Sequence, residues 1–169
     1  ALESQIHRTD VFLMIIPFCF ASHGASRFHA VLVGATCVIL NFEAEAALRA
    51  IEKEKVTYMH IGPTALGMLL DHPKLSEYDL SSVRHVWVTG GALPVSLWER
   101  ADNIFGPVVA PTLGMTECLS CEVWFDRREL EKTKQGAIGG LRTSVGKKCV
   151  GIEMRVVKED GTEVAHDGK

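Results

Sequence analysis

Apolar stretches of strand length alternate with helical patterns through most of this chain. The apolar stretches predict strands at residues 11–16, 36–40, 57–61, 85–89 and 107–110. Between them, helical spacing with glycine or proline boundaries predicts helices at residues 26–34, 44–55, 64–70 and 95–105. Strands joined throughout by helices predict an α/β fold, a doubly wound and mostly parallel sheet with flanking helices.

The pattern changes after Glu117. Residues 127–135 are charged and predict an exposed helix or loop, and residues 136–140 predict a flexible segment. Residues 152–157 and 162–165 then flank Asp160-Gly161, which is a strong hairpin signal. We therefore predict an α/β subdomain over residues 1–143 and the truncated start of a β-rich subdomain over residues 144–169.

The composition is that of an ordinary globular domain. The 169 residues are 47% hydrophobic and 23% charged with a net charge of -3, and no basic stripe indicates nucleic-acid binding. The longest apolar run, residues 11–21, is interrupted by Pro17, is too short to span a bilayer and lacks signal-peptide features. The five irregularly spaced cysteines predict reduced thiols in a cytoplasmic protein. The missing initiator methionine predicts an internal piece of a longer polypeptide, with parts of the same chain on both sides.

Two segments carry candidate chemistry. Gly90-Gly91-Ala92 follows the fourth predicted strand, and the fifth is followed by Pro111-Thr112-Leu113-Gly114-Met115-Thr116-Glu117. A right-handed crossover brings two such loops to one edge of a parallel sheet, beyond the carboxyl ends of the strands, where open α/β sheets bind ligands. One loop offers bare backbone and the other a hydroxyl beside a carboxylate. A nucleotide with its metal suits that combination.

Each segment also has a simpler interpretation. Gly90-Gly91 alone is typical of a turn, and Thr116-Glu117 alone is typical of a helix start, where a hydroxyl caps and a carboxylate meets the helix dipole. The pair Cys118 and Cys121 is weak evidence for zinc, because no second pair or matching histidine accompanies it.

Four motifs in order make the chain recognisable. They are Pro17-Phe18-Cys19-Phe20 with Gly24; Gly62-Pro63-Thr64; Asp79-Leu80-Ser81-Ser82 leading to Val88-Thr89-Gly90-Gly91-Ala92; and Gly114-Met115-Thr116-Glu117. With this ordered set the chain resembles the middle of the adenylate-forming (AMP-binding) superfamily, and within it the acyl-CoA synthetases. The closing Asp167-Gly168-Lys169 looks most like the medium- and long-chain fatty acyl-CoA synthetases. Such enzymes activate a carboxylic acid with ATP as an acyl-adenylate and transfer the acyl group to coenzyme A.

The resemblance implies roles for individual residues. Thr116 would hydrogen-bond the α-phosphate, Glu117 would hold Mg²⁺, and both would serve catalysis. The nucleotide would lie against a set of residues at the sheet edge: Gly90, Gly91, Ala92, Thr112, Leu113, Gly114, Met115 and Thr116. The acid would lie near Phe20, His23 and His60.

Two positions depart from the family pattern. Leu113 stands where an aromatic residue usually stacks on adenine. Phe20 stands where a histidine is common, with His23 three residues later. Three functional parts of the family are also missing: the phosphate loop, the ribose-binding aspartate and the catalytic lysine. We therefore expect this chain alone to be inactive.

Rival interpretations remain at this point. One is an adenylation domain that loads a carrier protein, or an oxidative luciferase, in which another acceptor or reaction follows the adenylate. The other is a non-catalytic nucleotide-binding or regulatory protein on the same scaffold, an idea that Leu113 supports. The acid is expected to be apolar, and its chain length is open.

Overall fold

The computed structural model describes residues 6–118, 120–124 and 146–164, with the backbone alone for residues 21–26, 118 and 120–124. Its main sheet has five parallel strands in the order β2-β1-β3-β4-β5. The strands are β1 Val11–Met14, β2 Thr36–Ile39, β3 Tyr58–Ile61, β4 His85–Val88 and β5 Val109–Pro111. The helices between them are α1 Ala21–Val33, α2 Ala44–Glu54, α3 Pro63–Leu70 and α4 Val95–Phe105. The predicted doubly wound parallel sheet is confirmed.

The helix boundaries follow from local chemistry. α1 begins five residues before the predicted start and ends at Gly34, whose φ of 72° lies in the left-handed region that favours glycine. α2 is capped by Glu43, whose carboxylate accepts hydrogen bonds from the backbone N–H groups of Glu45 and Ala46 at 3.0 and 2.6 Å. Hydrogen bonds from these donors lower the pKa of Glu43. α3 begins on Pro63, which suits the first turn because proline has no N–H to leave unpaired.

The two faces of the main sheet differ in chemistry. Side chains alternate along a strand, and residues in register across parallel strands share a face. One face is aliphatic and lies under α2, α3 and α4; its buried residues include Leu13, Met59, Ile61, Val86 and Val88. The other face is aromatic and lies under α1; its buried residues include Phe12, Tyr58, His60, His85 and Trp87. The crossover to β2 and the later crossovers run in opposite directions, which puts α1 opposite the other helices.

A buried carboxylate joins three strands at the amino-terminal edge. Asp10 is 3% exposed and accepts hydrogen bonds from the His7 backbone N–H at 2.7 Å, the Thr57 hydroxyl at 2.8 Å and the Arg84 Nε at 2.8 Å. Arg84 Nη2 donates a further hydrogen bond to the second carboxylate oxygen. The Thr57 hydroxyl also accepts from the Val11 N–H at 3.0 Å. Burial alone would raise the pKa of Asp10, but the hydrogen bonds outweigh it and the pKa is lowered.

A second, antiparallel sheet follows the main one. It contains β6 Leu113–Met115, β7 Ser120–Trp124 and β8 Lys147–Lys148 in the order β6-β7-β8. A short 3₁₀ turn, Thr116–Cys118, lies between β6 and β7. The expectation of a loop after β5 is therefore wrong, because residues 113–115 pair with β7 to form a strand. Strands β6 and β7 come before residue 143 in the chain, and β8 comes after it. The domain boundary at residue 143 stays a prediction.

The hairpin predicted near the end of the chain is confirmed in a short form. Val157 and Glu163 form an antiparallel bridge, and the Val164 N–H donates to the Val156 carbonyl at 2.9 Å. The turn is held by Asp160, whose carboxylate accepts from the Thr162 N–H and hydroxyl. Residue 165 and the predicted segments 127–135 and 136–140 lie outside the described residues. No helix in the described part of the chain is both long and apolar enough to cross a membrane.

Candidate active site

Backbone hydrogen bonds align the carboxyl ends of three neighbouring strands. The Thr89 N–H donates to the Ile61 carbonyl at 3.1 Å, joining the ends of β3 and β4. The Thr112 N–H donates to the Val88 carbonyl at 2.9 Å, joining the ends of β4 and β5. The segments that begin at Gly62, at Gly90 and at Leu113 therefore leave the sheet side by side. The predicted meeting of the two candidate segments at one edge is confirmed.

The glycines after β4 leave the backbone of this edge accessible. Gly90, Gly91 and Ala92 are all exposed, and Gly90 has a φ of 83°, which disfavours any residue with a Cβ. A Cβ on Gly90 would have no atom within 4 Å, whereas one on Gly91 would lie 3.6 Å from Cγ of Pro63. The space above Gly90 is open, and Gly91 packs against the start of α3. A ligand can thus approach the backbone at Gly90 directly.

The residues after β5 divide into one that faces inward and several that face outward. Thr112 is 8% exposed, and its hydroxyl lies 3.5 Å from the Val88 carbonyl, so it faces the neighbouring strand. Leu113 and Met115 are 44% and 52% exposed, although both are large and apolar. Gly114 between them is also exposed. Strand β6 therefore presents uncovered apolar surface next to the open backbone of Gly90.

Thr116 and Glu117 are both exposed in the 3₁₀ turn that ends β6. This arrangement provides a hydroxyl and a carboxylate that reach solvent directly after β6. No group of three or more His, Cys, Asp or Glu side chains that could hold a metal occurs among the described residues. Mg²⁺ commonly uses one or two carboxylates together with phosphate oxygens of a substrate. An exposed Glu117 carboxylate fits a cation that arrives with a nucleotide.

The residues predicted to bind the acid lie on β3, on α1 and at the residue just before α1. His60 is 9% exposed on the aromatic face, and its ring lies 5.7 Å from that of Trp87 at an interplanar angle of 84°. Phe20 precedes α1 and is 55% exposed. His23 lies in α1, and its side chain is outside the described part of the structure. β1 and β3 are neighbours, so the segment after β1 and His60 belong to the same side of the site.

Two residues of this aromatic layer were missed from the sequence. His29 and Trp87 are absent from the site residues that the sequence predicts. In the structure His29 lies on α1 with its ring edge-on to Trp87 at 6.2 Å. Its Nδ1 is shielded from solvent and has no hydrogen-bond partner among the described residues. Burial lowers the pKa of His29, which favours the neutral ring. The sequence carries a signal for this layer. Tyr58 and His60 are two residues apart, as are His85 and Trp87, and residues two apart share a strand face.

The site therefore has two chemically distinct parts. The edge formed after β4 and β5 offers backbone, a hydroxyl and a carboxylate to a polar, anionic group. The layer between α1 and the sheet is made of buried aromatic and imidazole side chains, among them His60 and Trp87.

The chain is similar to known proteins over its whole length. Residues 1–169 match the sequence profile of the family described as AMP-binding enzyme. The chain is 31% identical over 173 residues to 4-hydroxybutyrate–CoA ligase 2 of Metallosphaera sedula, covering 99% of this chain and 31% of that relative. It is 37% identical over 109 residues to medium/long-chain-fatty-acid–CoA ligase FadD8 of Mycobacterium tuberculosis, covering 63% of this chain and 19% of that relative.

A solved structure shows the same fold. The o-succinylbenzoate CoA synthetase of Bacillus subtilis, in complex with its acyl-adenylate intermediate, is similar with a TM-score of 0.80 and 25% identity. The match covers 98% of this chain and 40% of that one. The chain spans 31% of the first of these curated relatives and 19% of the second.

Proposed function

Because this chain belongs to the AMP-binding enzyme family, we propose that it forms the nucleotide edge and part of the acid pocket of an AMP-forming acid–CoA ligase. The parent would use ATP to convert a carboxylic acid to an acyl-adenylate with release of pyrophosphate. It would then transfer the acyl group to coenzyme A. The relatives named above are acid–CoA ligases, which supports this reaction class.

The observation that carries the proposal is the alignment of two chemically complementary segments at one sheet edge. Open backbone at Gly90 lies one strand away from the exposed run that ends in Thr116 and Glu117. The opening above Gly90 and the neighbouring apolar side chains of Leu113 and Met115 suit the flat ring of a nucleotide base. The hydroxyl and carboxylate follow within a few residues, as a base and its phosphates require.

Each residue then has a defined task. In-line attack of the acid carboxylate on the α-phosphate forms the acyl–phosphate bond and breaks the bond to pyrophosphate, so negative charge builds on the phosphoryl oxygens. The Thr116 hydroxyl would donate a hydrogen bond to one of these oxygens. The Glu117 carboxylate would hold Mg²⁺, which when bound supplies positive charge to them. The backbone from Gly90 to Ala92, with Gly114, would allow the adenylate to approach closely. Thr112, which faces β4, would position Leu113 beside the base.

The acid would extend from this edge into the aromatic layer. His60 is the last residue of that face on β3 before the edge at Gly62, so it would line the acid pocket. Phe20 would border the entrance, and we assign His23 to the same wall through its place in α1. Large apolar surface in this layer favours an acid with a mainly apolar, fatty chain. The cysteines whose side chains the structure describes, Cys19, Cys37 and Cys149, are free thiols, which supports a cytoplasmic parent.

The test is the substitution Glu117→Gln in the full-length parent. It keeps the size of the side chain and removes the charge, so pyrophosphate release with a suitable acid should fall at least about tenfold, equivalent to roughly 1.4 kcal/mol of transition-state stabilisation. The matched control is Glu99→Gln, an exposed carboxylate on α4. The control should leave the rate unchanged.

Three outcomes separate the alternatives. Full activity of Glu117→Gln at limiting Mg²⁺ would assign Glu117 to capping the turn alone. Pyrophosphate release without formation of an acyl-CoA thioester would favour a carrier-protein acceptor. An absence of adenylation by the unaltered parent across a panel of carboxylic acids would favour a non-catalytic binding protein.

A further inference from the structure

His29 lies where α1 meets the aromatic face of the main sheet. Its neighbour Ala30 is fully buried, and the His29 ring lies edge-on to the Trp87 ring, with the centroids 6.2 Å apart at an interplanar angle of 76°. The Nδ1 atom of His29 is shielded from solvent and has no hydrogen-bond partner among the described residues. Protonation puts an N–H on both ring nitrogens, so the N–H at Nδ1 would have no acceptor among these residues.

Trp87 connects His29 to a layer of rings on the sheet. Its ring lies edge-on to that of Tyr58 at 4.6 Å and to that of His60 at 5.7 Å. The Tyr58 ring in turn lies 5.0 Å from that of His85. Edge-to-face ring pairs stabilise a structure only in particular geometries. A shift of His29 would therefore disturb the surroundings of Trp87.

The elements around His29 offer no aspartate or glutamate on the described strands of the main sheet. α1 packs against β1, β2, β6 and β7, and Trp87 belongs to β4. No acidic residue occurs in α1, in β1 to β4 or in β6. The titratable side chains on the face that α1 covers are those of Cys37, Tyr58, His60 and His85. None of these residue types is ordinarily negative at pH 7.

Two arginines bring positive charge to α1. Arg27 belongs to the helix, and the Arg8 side chain lies near Gly34 at its end. A nearby positive charge disfavours a second one, so both oppose protonation of His29. Three further titratable residues of these elements, whose side chains lie outside the described part of the structure, are His23 of α1 and Cys121 and Glu122 of β7.

We propose that His29 makes the packing of α1 sensitive to acid: when its ring binds a proton, α1 separates from Trp87 and the aromatic layer opens to water. The change is reversible, because removal of the proton restores the neutral ring. The proposal concerns the packing of one helix and does not depend on the proposed function.

The pH range follows from the direction of the pKa shift. Burial lowers the pKa of His29 in the packed state, and the positive charge of the chain's amino terminus adds to this lowering. In the separated state the ring is in water and titrates near its ordinary value, about 6.5. The separated state therefore binds more protons than the packed state, and acid favours separation. The effect begins as the pH falls through about 6.5 and stops growing below the pKa of the packed ring.

The experiment measures amide hydrogen exchange in the full-length parent at about pH 7.5 and pH 5.5. The rates are corrected for the intrinsic dependence of exchange on pH, and peptides that cover α1 and α4 are compared. In the unaltered parent the α1 peptide should lose protection several-fold at the lower pH, and at most about tenfold, because one group shifts an equilibrium by no more than that at one pH unit below its free pKa. The α4 peptide should keep its protection, since α4 lies on the opposite face of the sheet.

Two variants of the parent assign the effect. His29→Phe keeps a ring against Trp87 but cannot bind a proton, so its α1 peptide should have the same protection at both pH values. The matched control is His72→Phe, just after α3, which removes a partly buried imidazole whose Nε2 lies 3.9 Å from Oε2 of Glu45. The control should lose protection at α1 as the unaltered parent does. If His29→Phe cannot be obtained, His29→Gln against His72→Gln gives the same comparison.

Three results would overturn the proposal. One is unchanged protection of α1 in the unaltered parent at the lower pH, as expected if Glu122 holds the protonated ring. The second is an equal loss of protection in His29→Phe, which would assign the acid sensitivity to another group such as His60 or His85. The third is an equal loss in the α1 and α4 peptides of the unaltered parent, which would mean that acid unfolds the whole domain.

Discussion

Replacing Arg84 by methionine removes a guanidinium from the buried Asp10 and keeps much of the apolar stem. The Asp10 side chain is 4% exposed, so its carboxylate would be left in the protein interior with the His7 N–H and the Thr57 hydroxyl as donors. Removing one member of a buried ion pair typically costs about 3–5 kcal/mol. Because the Arg84 side chain is 27% exposed, water already reaches the pair. We therefore expect a loss near the lower end, about 3 kcal/mol of unfolding free energy.

The assay is urea unfolding of the chain followed by tryptophan fluorescence, since Trp87 and Trp98 are buried. The matched control is Arg100→Met, which breaks a pair with Asp71 whose two side chains are 49% and 68% exposed. Exposed pairs contribute about 0–1 kcal/mol, so the control should unfold almost like the unaltered chain.

The pH dependence tests the cause of the loss. The pKa of Asp10 is lowered in the folded chain, so its contribution is present above the unfolded value and is lost as pH falls through the folded value. Without Arg84, burial is opposed only by the hydrogen bonds from His7 and Thr57, so the pKa of Asp10 would rise above its value in the unaltered chain and protonation would relieve the variant earlier as pH falls. The stability gap between the two proteins should therefore narrow as the pH falls from 7 towards 4. A gap that stays constant with pH, or Arg84→Met behaving like Arg100→Met, would refute the reasoning.

Three further predictions concern the candidate site. Gly90→Ala and Gly106→Ala introduce similar backbone strain, because both glycines have a positive φ, 83° and 78°, and open space around an added Cβ. Of the two, only Gly90→Ala should lower the rate of adenylation by the parent. Equal rates in the two variants would show that Gly90 is not part of the site. Leu113→Tyr in the parent should tighten ATP binding by only a few-fold, because ring stacking worth on the order of 1–3 kcal/mol is partly offset by the loss of the apolar contact that leucine already makes. If the Michaelis constant for the acid changes and ATP binding does not, Leu113 belongs to the acid pocket. Calorimetry of the isolated chain with Mg-ATP should show no binding as tight as micromolar, and tight binding would contradict the need for the rest of the parent.

The sequence predicted the main sheet well because each strand and helix there carries a local signal. Near-continuous apolar runs marked strands buried on both faces, and Gly34 and Pro63 marked helix boundaries. Helix α1 was predicted too short at its start, because Phe20 provides no capping side chain before it. Strand β6 was missed because Leu113 to Met115 has only three residues and becomes a strand through pairing with β7. Pairing between distant segments is set by tertiary structure and not by local propensity.

The candidate site was predicted unevenly for a similar reason. The polar edge could be located because glycines and a hydroxyl–carboxylate pair follow strands that a crossover makes neighbours. The aromatic layer was mostly missed, since His29 meets Trp87 only after α1 packs on the sheet. The inward direction of Thr112 was equally hidden, because it depends on the carbonyl of Val88 in the adjacent strand.

The strand order has a consequence for how such a site can change. From β1 the chain moves outward to β2 and then crosses back over β1 to β3, so the direction of winding reverses between β1 and β3. Helices α1 and α3 leave that point on opposite faces, and reversals of this kind open the crevice in which α/β sheets bind ligands. Phe20 and His60 border this crevice, whereas Gly90 and Glu117 lie one and two strands away. Under the proposed function the acid and the nucleotide would depend on separate crossovers, so replacing the β1–α1 connection would alter the choice of acid and leave the nucleotide edge intact.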